Sequence, residues 1–473
     1  MNTLETDVCV VGGGLAGLAA ANRAAEQGLK VLVLEQSNDP DYLCNTRLAG
    51  GVFHVCVRDL QSDAAVLERA ILDGAGGEAH PELARAIATE ARRAVKWLQS
   101  KGVRFIRGGA DPHHNLVLAP PALQRLGLDW RGRGGDVLLR TLLAGLGNAG
   151  GRFLAGHRAN ELLVQGGRCE GLSGTSSAGP FLVRARAVVI ADGGFQGDPE
   201  LLRANITPEP GSVLQRNSGA SRGDGLKMAL AAGARASSLC GFYGHLQHRD
   251  ALSNAMLWPY PWLDDLAAAG LLVKEDGQRF VDEGRGGVFC ANAVAGLTNP
   301  LGVHVVFDQT VWELAGKARF LPANPHLEKA GGTVLRADSI ESLASLMQVP
   351  AGNLARTVDQ FNATLQSQQL DGLTPPRSVP AAGLTSMTKA PFRAIPVVAG
   401  VTNTMGGIAI DQWARAMHTD GRPFDGLYAV GGASGGLEGG ASVGYVGGLA
   451  KAATTGLLAA EHIADNLRAP EHK

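Results

Sequence analysis

"DVCVVGGGLAGLAAANRAAEQGLKVLVLEQ", residues 7–36, decides the fold. Asp7–Val11 is a short, nearly continuous apolar run of strand type, Leu15–Gln27 has helix-forming composition, and Lys30–Leu34 reads as a second strand. Between the first strand and the helix, Gly12, Gly14 and Gly17 keep the spacing G-x-G-x-x-G. The first glycine permits a sharp turn, the second lets backbone approach a pyrophosphate, and the third lets helix and strand pack closely. The helix N-terminus then presents partial positive charge to the phosphates. Glu35 ends the second strand, 23 positions after Gly12, where an acidic side chain accepts hydrogen bonds from a ribose. A strand–turn–helix–strand unit in this register predicts a Rossmann-like α/β fold around a dinucleotide.

Two later stretches repeat the pattern of an apolar strand running into glycines. Ala187–Ile190 leads into Ala191, Asp192, Gly193 and Gly194; Leu427–Val430 leads into Gly431 and Gly432, then "GGLEGGAS" (435–442) and an Ala-rich helix. Three glycine turns from distant parts of the chain suit one extended dinucleotide. The 65 glycines, about twice the usual share, follow no G-X-Y period, which indicates tight turns and close backbone approach to a ligand.

Composition excludes other classes. With 43 Lys plus Arg against 44 Asp plus Glu, the net charge of -1 gives no footprint for nucleic acid. The six cysteines are scattered, with no zinc, haem or disulfide spacing, and indicate a reducing, cytoplasmic setting. "MNTLET" runs straight into a strand and leaves no room for a signal peptide, and no run of 18 uncharged apolar residues reads as a membrane span. Pro81–Leu98 carries Leu83, Ile87, Ala94 and Leu98 at helical spacing, a core-packing pattern. In "DPHHN" (111–115) the two histidines on a strand would face opposite sides, so no metal is expected there.

With "CNTRLAGG" (44–51), "AVVIADGGF" (187–195), "GDGLKMALAAGA" (223–234), "GQRFVDEG" (277–284), "NTMGGIAID" (403–411) and "GLYAVGGASGG" (426–436) in this order, the chain resembles the succinate dehydrogenase/fumarate reductase flavoprotein superfamily over nearly its whole length. It looks nearest to the soluble branches that include tricarballylate dehydrogenase and the 3-ketosteroid dehydrogenases. The resemblance implies FAD and a discontinuous FAD-binding domain, residues 1–245 and 396–473, with an inserted α+β capping domain, 246–395. It implies FAD contacts at Gly12, Gly14, Leu15, Ala16, Gly17, Glu35 and Gln36 in the first unit, and at Asn45, Thr46, Arg47, Gly50 and Gly51 in the following loop. Further contacts are implied at Ala191, Asp192, Gly193 and Asp224, and at Gly432, Gly440, Ser442 and Val443. Respiratory members tether FAD to a histidine in the loop matching 44–51; here that loop has none, so noncovalent FAD is expected.

The chemistry so implied is hydride transfer between flavin N5 and one carbon of a C–C bond beside a carbonyl or carboxylate, with a protein group moving a proton at the neighbouring carbon. Arg285 lies near the position of the catalytic arginine of fumarate reductases, as proton donor or substrate clamp, although the spacer from Glu283 is shorter here. A surface or domain-hinge ion pair is the usual fate of a loop arginine and is the alternative reading of Arg285. Tyr243, His245 and His248 cluster where the family lines its substrate, and a histidine suits carbonyl chemistry near neutral pH. "WPYPW" (258–262) reads as rigid packing, and Tyr445 as a core residue or a neighbour of the flavin ring. Where fumarate reductases carry a histidine before Thr-Met-Gly-Gly, this chain has Asn403, and "GGLEGGASVGYVGG" has no counterpart of their carboxylate-binding arginine. The expected small-molecule substrate is therefore a carbonyl or carboxylate compound other than fumarate or succinate, with electron partner unspecified. A flavin monooxygenase, or a non-catalytic FAD-binding electron-carrying subunit, are the alternatives; no second G-x-G-x-x-G turn for NADPH is present.

Overall fold

The computed structural model describes residues 2–379 and 383–468. Strand β1 (Asn2–Val11), helix α1 (Leu15–Glu26) and strand β2 (Val31–Leu34) form the first unit, β1 starting five residues before the apolar run. β1 and β2 pair in parallel, Val8 opposite Val31 and Val10 opposite Val33, and both are buried at their carboxyl ends. Such continuous apolar runs belong to a sheet covered on both faces. On the other side β1 pairs in parallel with Gly179–Ile190, which pairs with Pro423–Ala429; Arg152–Leu154 extends the sheet beyond β2. The sheet thus draws parallel strands from residues 2–190 and again from 423–429, and antiparallel strands His157–Gln165 and Arg168–Ser176 complete one side.

Helix α1 lies under the C-terminal helix Gly448–Arg468, and small residues make the contact possible. A Cβ on Gly456 would meet the carbonyl oxygen of Ala16 at 2.5 Å and the nitrogen of Ala20 at 3.1 Å. On the sheet side, a Cβ on Gly17 would run into the carbonyl oxygen of Gly12. The alanine-rich composition of both helices is therefore packing at close range. Pro81–Ser100 is a helix with Leu83, Ile87, Ala94 and Leu98 buried.

A second, six-stranded sheet takes its strands from residues 213–404. Its spine is Phe392–Thr404, flanked by Val213–Gln215, Phe242–His248, His304–Phe307 and Leu335–Ala337, with Leu271–Val273 outermost. Alternate residues of this sheet face two different apolar clusters: Leu272, Val305 and Ile395 pack into one, Leu271, Val306 and Ala394 into the other. The end of the spine docks on the main sheet, where Thr404 Oγ1 accepts the Phe195 N–H at 2.9 Å and the Thr402 carbonyl accepts from Asn45 Nδ2 at 2.9 Å. Pro112–His114 is a 3-10 turn rather than a strand, so the rings of His113 and His114 lie side by side, 3.9 Å between centroids. No helix among the described residues is long and apolar enough to cross a membrane.

Candidate functional site

The carboxyl ends of the parallel strands converge on one edge, where open α/β sheets bind ligands. Backbone bonds join them: Gly12 N–H to Leu34, Ala191 N–H to Val11 and Val430 N–H to Ile190, at 2.8, 2.8 and 2.9 Å. Gly12 has φ +109° and a Cβ there would meet the Ala191 carbonyl at 2.5 Å. Gly14 is different: a Cβ would meet nothing nearer than Thr46 Oγ1 at 3.7 Å, and at Gly50 nothing within 4 Å. Those two positions leave the open side that a pyrophosphate or ring needs. Glu35 is buried, and its oxygens accept the Gly13 and Ser37 N–H groups at 3.0 Å each, which aims the carboxylate at the mouth of the glycine turn. The turns at Gly193 and Gly432 touch, a Cβ on Gly432 lying 3.4 Å from the Gly193 Cα. This donor set suits a dinucleotide.

The other expected contacts differ in placement. Leu15 donates its N–H to Thr46 Oγ1 at 3.1 Å, Ala16 faces the C-terminal helix, and Gln36 donates to the Ala220 carbonyl at 2.9 Å. Asn45 bridges Thr402 and Ser218, tying the loop to the second sheet. Arg47 is fully buried, 3.0 Å from Asp136 and between the rings of Tyr42 and Trp130. Gly51, φ +86°, accepts from the Leu118 N–H at 2.9 Å. Asp192 accepts the Gly225 N–H at 2.7 Å. Asp224 pairs with Arg158 at 2.8 Å beside a groove of about 730 Å³ that contains neither Tyr243 nor Arg285.

A cavity of about 230 Å³ is lined by Tyr243 of the second sheet, Arg285, Ser442, Val443 and Tyr445, with Cys56, Val57, Ile71, Val288, Phe289 and Leu437 as its mainly apolar wall. Three of its residues, Cys56, Val57 and Val443, hold φ of 49°, 58° and 50°, a costly conformation for β-branched valine. Such strain gathers at functional sites. Arg285 stands exposed on a 3-10 turn, its guanidinium 3.6 Å from the Phe289 ring centroid and donating to the Ala441 carbonyl at 3.2 Å and Ser442 Oγ at 3.3 Å. Beneath it, Glu283 is sealed in an ion triad with Arg279 (2.6 Å) and Arg377 (2.9 Å), so the acidic residue of "RFVDE" holds the turn rather than facing the cavity. Gly440, φ +69°, packs a face without Cβ against the Ala75 carbonyl.

Tyr445 stacks on Tyr243 with centroids 3.7 Å apart and planes within 12°, and its hydroxyl oxygen accepts the Gly448 N–H at 2.6 Å. Asn403 lies directly across the strand pair from Tyr243. The Tyr243 hydroxyl is 3.2 Å from His245 Nε2; His245 Nδ1 is 2.6 Å from Asp264 Oδ2, and the imidazole stacks on Trp262 at 3.7 Å and 10°. Burial pushes His245 below its ordinary pKa against the pull of Asp264. Burial would raise Asp264, but the attraction and hydrogen bond of His245, with Arg319, hold it below the usual carboxylate value. Burial pushes Tyr243 up to about 12 and Tyr445 well above its ordinary value. His248, three positions on, points to the other face, with Nε2 at 2.9 Å from the Thr333 carbonyl and Nδ1 accepting the Asp250 N–H; the structure does not bring it to the cavity.

Two groups carry no sequence signal of their own. Asp264 comes from "LDDL" in a short helix, 19 residues from His245. Lys451, inside the C-terminal helix, forms a buried pair with Glu438 at 2.8 Å and donates to the Ser434 carbonyl at 2.9 Å. Glu438 also accepts the Val446 N–H at 3.0 Å, so the pair pins the 434–446 turn to that helix. Lys451 falls at helical spacing among alanines, where a lysine reads as exposed.

The family described as FAD binding domain matches residues 7–444. The NADH:acrylate oxidoreductase of Vibrio harveyi is 27% identical over 80% of this chain and 36% of its own length, so the chain spans about a third of that relative. The 3-oxosteroid 1-dehydrogenase of Mycobacterium tuberculosis (strain ATCC 25618 / H37Rv) is 26% identical over 98% of this chain and 99% of its own. The solved structure of 3-ketosteroid delta1-dehydrogenase from Sterolibacterium denitrificans, with 1,4-androstadiene-3,17-dione, superposes with a TM-score of 0.73 at 20% identity, covering 98% of this chain and 100% of that one, and shares its fold.

Proposed function

The chain belongs to the FAD binding domain family, and from that premise we propose that it is an FAD-dependent oxidoreductase acting on a C–C bond beside a carbonyl or carboxylate. FAD supplies hydride uptake or delivery at one substrate carbon. The residues from Gly12 to Gly17 would hold the pyrophosphate and Glu35 the ribose, with the 439–443 turn presenting its backbone N–H groups to the flavin. The second sheet with its surrounding helices acts as the cap that excludes water. The acrylate oxidoreductase and the 3-oxosteroid dehydrogenase among the chain's relatives support this reaction class.

The carrying observation is the cavity whose lining brings together Tyr243, Tyr445, Ser442 and Arg285 from distant segments of chain. Arg285 is its cation among the described lining residues, and the rest of the wall is mostly apolar. A dicarboxylate buried there would keep one charge unpaired, at a cost of several kcal/mol. A cyclic or otherwise bulky carbonyl compound, or one with a single carboxylate, is the preferred substrate, not fumarate or succinate.

The test is reoxidation of the dithionite-reduced, FAD-loaded protein by cyclohex-2-enone, acrylate, a 3-oxo-4-ene steroid and fumarate. An enone or monocarboxylate should reoxidise the flavin at least about tenfold faster than fumarate. Arg285→Ala should cost the best carboxylate substrate about 100-fold while FAD content stays constant. Fumarate outrunning the rest, or an Arg285→Ala variant with wild-type rates, overturns the reading.

A further inference from the structure

We infer that Asp264, His245 and Tyr243 form a proton relay that ends at the cavity, with Tyr243 the group that takes and returns the substrate proton. The inference rests on the function proposed above and adds a residue, Asp264, and a path. Direction follows from the hydrogen bonds. Asp264 is ionised and accepts at Oδ2, so His245 carries its proton on Nδ1 and presents a bare Nε2 to Tyr243. The phenol therefore donates to Nε2, and its remaining lone pairs are left for a substrate C–H. Trp262 stacked on the imidazole and Tyr445 stacked on the phenol fix both rings.

The step balances without a co-reactant. The bond between the substrate α-carbon and its hydrogen breaks, and the electron pair passes onto the carbonyl oxygen as an enolate. The proton bonds to the Tyr243 oxygen while the phenol proton moves to His245 Nε2. The imidazolium so formed rests against the Asp264 carboxylate, which offsets the desolvation that otherwise opposes that charge. Returning the proton reverses each bond change. Arg319 does not take Asp264 from the histidine, because it is paired with Asp265.

The groups facing His245 and Tyr243 are Asp264 and Asp265 on one short helix, Arg319 on the segment beyond, Arg216 and Tyr260 in the flanking loops, and Tyr445. Both arginines lie about Trp262, 5.0 and 4.9 Å from its ring, and together with burial they keep His245 neutral. Proton removal should accordingly hold steady down through the ordinary histidine pKa of about 6.5 and fall only below it.

The experiment follows exchange of the α-hydrogens of 4-oxocyclohexanecarboxylate in heavy water by proton NMR, using oxidised, FAD-loaded protein, across pH. Tyr243→Phe and Asp264→Asn should each slow exchange about 100-fold or more, and His245→Gln should abolish the acid limb of the profile. An Asn at 264 can still accept the Leu246 N–H that Asp264 Oδ1 now accepts at 2.9 Å, so the fold is kept, and FAD content and melting temperature verify this. A second readout needs no turnover: heteronuclear NMR, assigned with His245→Gln, should find His245 protonated on Nδ1 in the wild type and not in Asp264→Asn. Exchange within about threefold of wild type in Tyr243→Phe or Asp264→Asn, or a wild-type His245 protonated on Nε2, overturns the relay. Wild-type protein that neither exchanges this ketone nor turns over the enone panel overturns the proposed function, and the tautomer then judges the hydrogen-bond geometry alone.

Discussion

Asp192, in the glycine turn after Ile190, should by itself make the stability of the whole protein depend on pH. Burial pushes its carboxyl up to about 7, with Asp224 and Glu35 adding repulsion against the Gly225 N–H, and its Oδ1 has no hydrogen-bond partner among the described residues. Below about pH 4 the group is protonated whether folded or not and costs nothing. As pH rises from about 4 to 7 the unfolded chain ionises freely while the folded one resists, so stability falls across that window and levels off above it. Asp192→Asn keeps the acceptor for Gly225 and removes the titration. Thermal unfolding of FAD-free protein should show the variant more stable than wild type at pH 8 and equal to it at pH 4; equal melting at pH 8 would mean that the carboxylate finds a partner in solution. The sequence displays the turn "ADGGF" but not this environment, because the Gly225 N–H and the repelling Asp224 arrive from another segment.

At the scale of elements, the contact between α1 and the C-terminal helix sets how firmly the glycine turn is held. Gly456→Leu would drive a side chain into Ala16 and Ala20, overpacking that costs about 1–3 kcal/mol or more and displaces the N-terminus of α1 from the phosphates. The absorbance ratio of flavin to protein should drop in this variant along with the melting temperature. Gly147→Ala, in a helix where an added Cβ meets nothing within 4 Å, should leave the flavin ratio unchanged. The first unit was legible because its signals are local: strand, glycines, helix and Glu35 follow one another within 36 residues. Asp264 and Arg377 were not, because their partners His245 and Glu283 lie on other segments, where neither periodicity nor spacing marks the pairing. The histidines of "DPHHN" show the same limit, since a 3-10 turn sets them side by side while a strand would part them.

For the whole molecule, the loop 44–51 offers no histidine, and FAD should be held only by the folded scaffold. Acid precipitation should then leave yellow flavin in the supernatant, and FAD at about 100 times its dissociation constant should stabilise the protein by about 2.7 kcal/mol. Flavin that stays in the pellet would reveal a covalent bond. The strand Phe392–Thr404 belongs to the second sheet yet ends on the turn of the main sheet, and this double membership was not readable from its sequence, because the contact of Thr404 with Phe195 joins segments 209 residues apart. Chain order also governs biosynthesis. A ribosome that has made Thr404 has delivered every strand of the second sheet, while the main sheet still lacks Pro423–Ala429 and the helix that covers α1. The edge at Val188–Ile190 and the small-residue face of α1 stay bare until Pro423–Ala429 and Gly448–Arg468 emerge. The second sheet is thus complete before the main one, and the turns proposed to hold the flavin can come together only after residues 423–468 have been made.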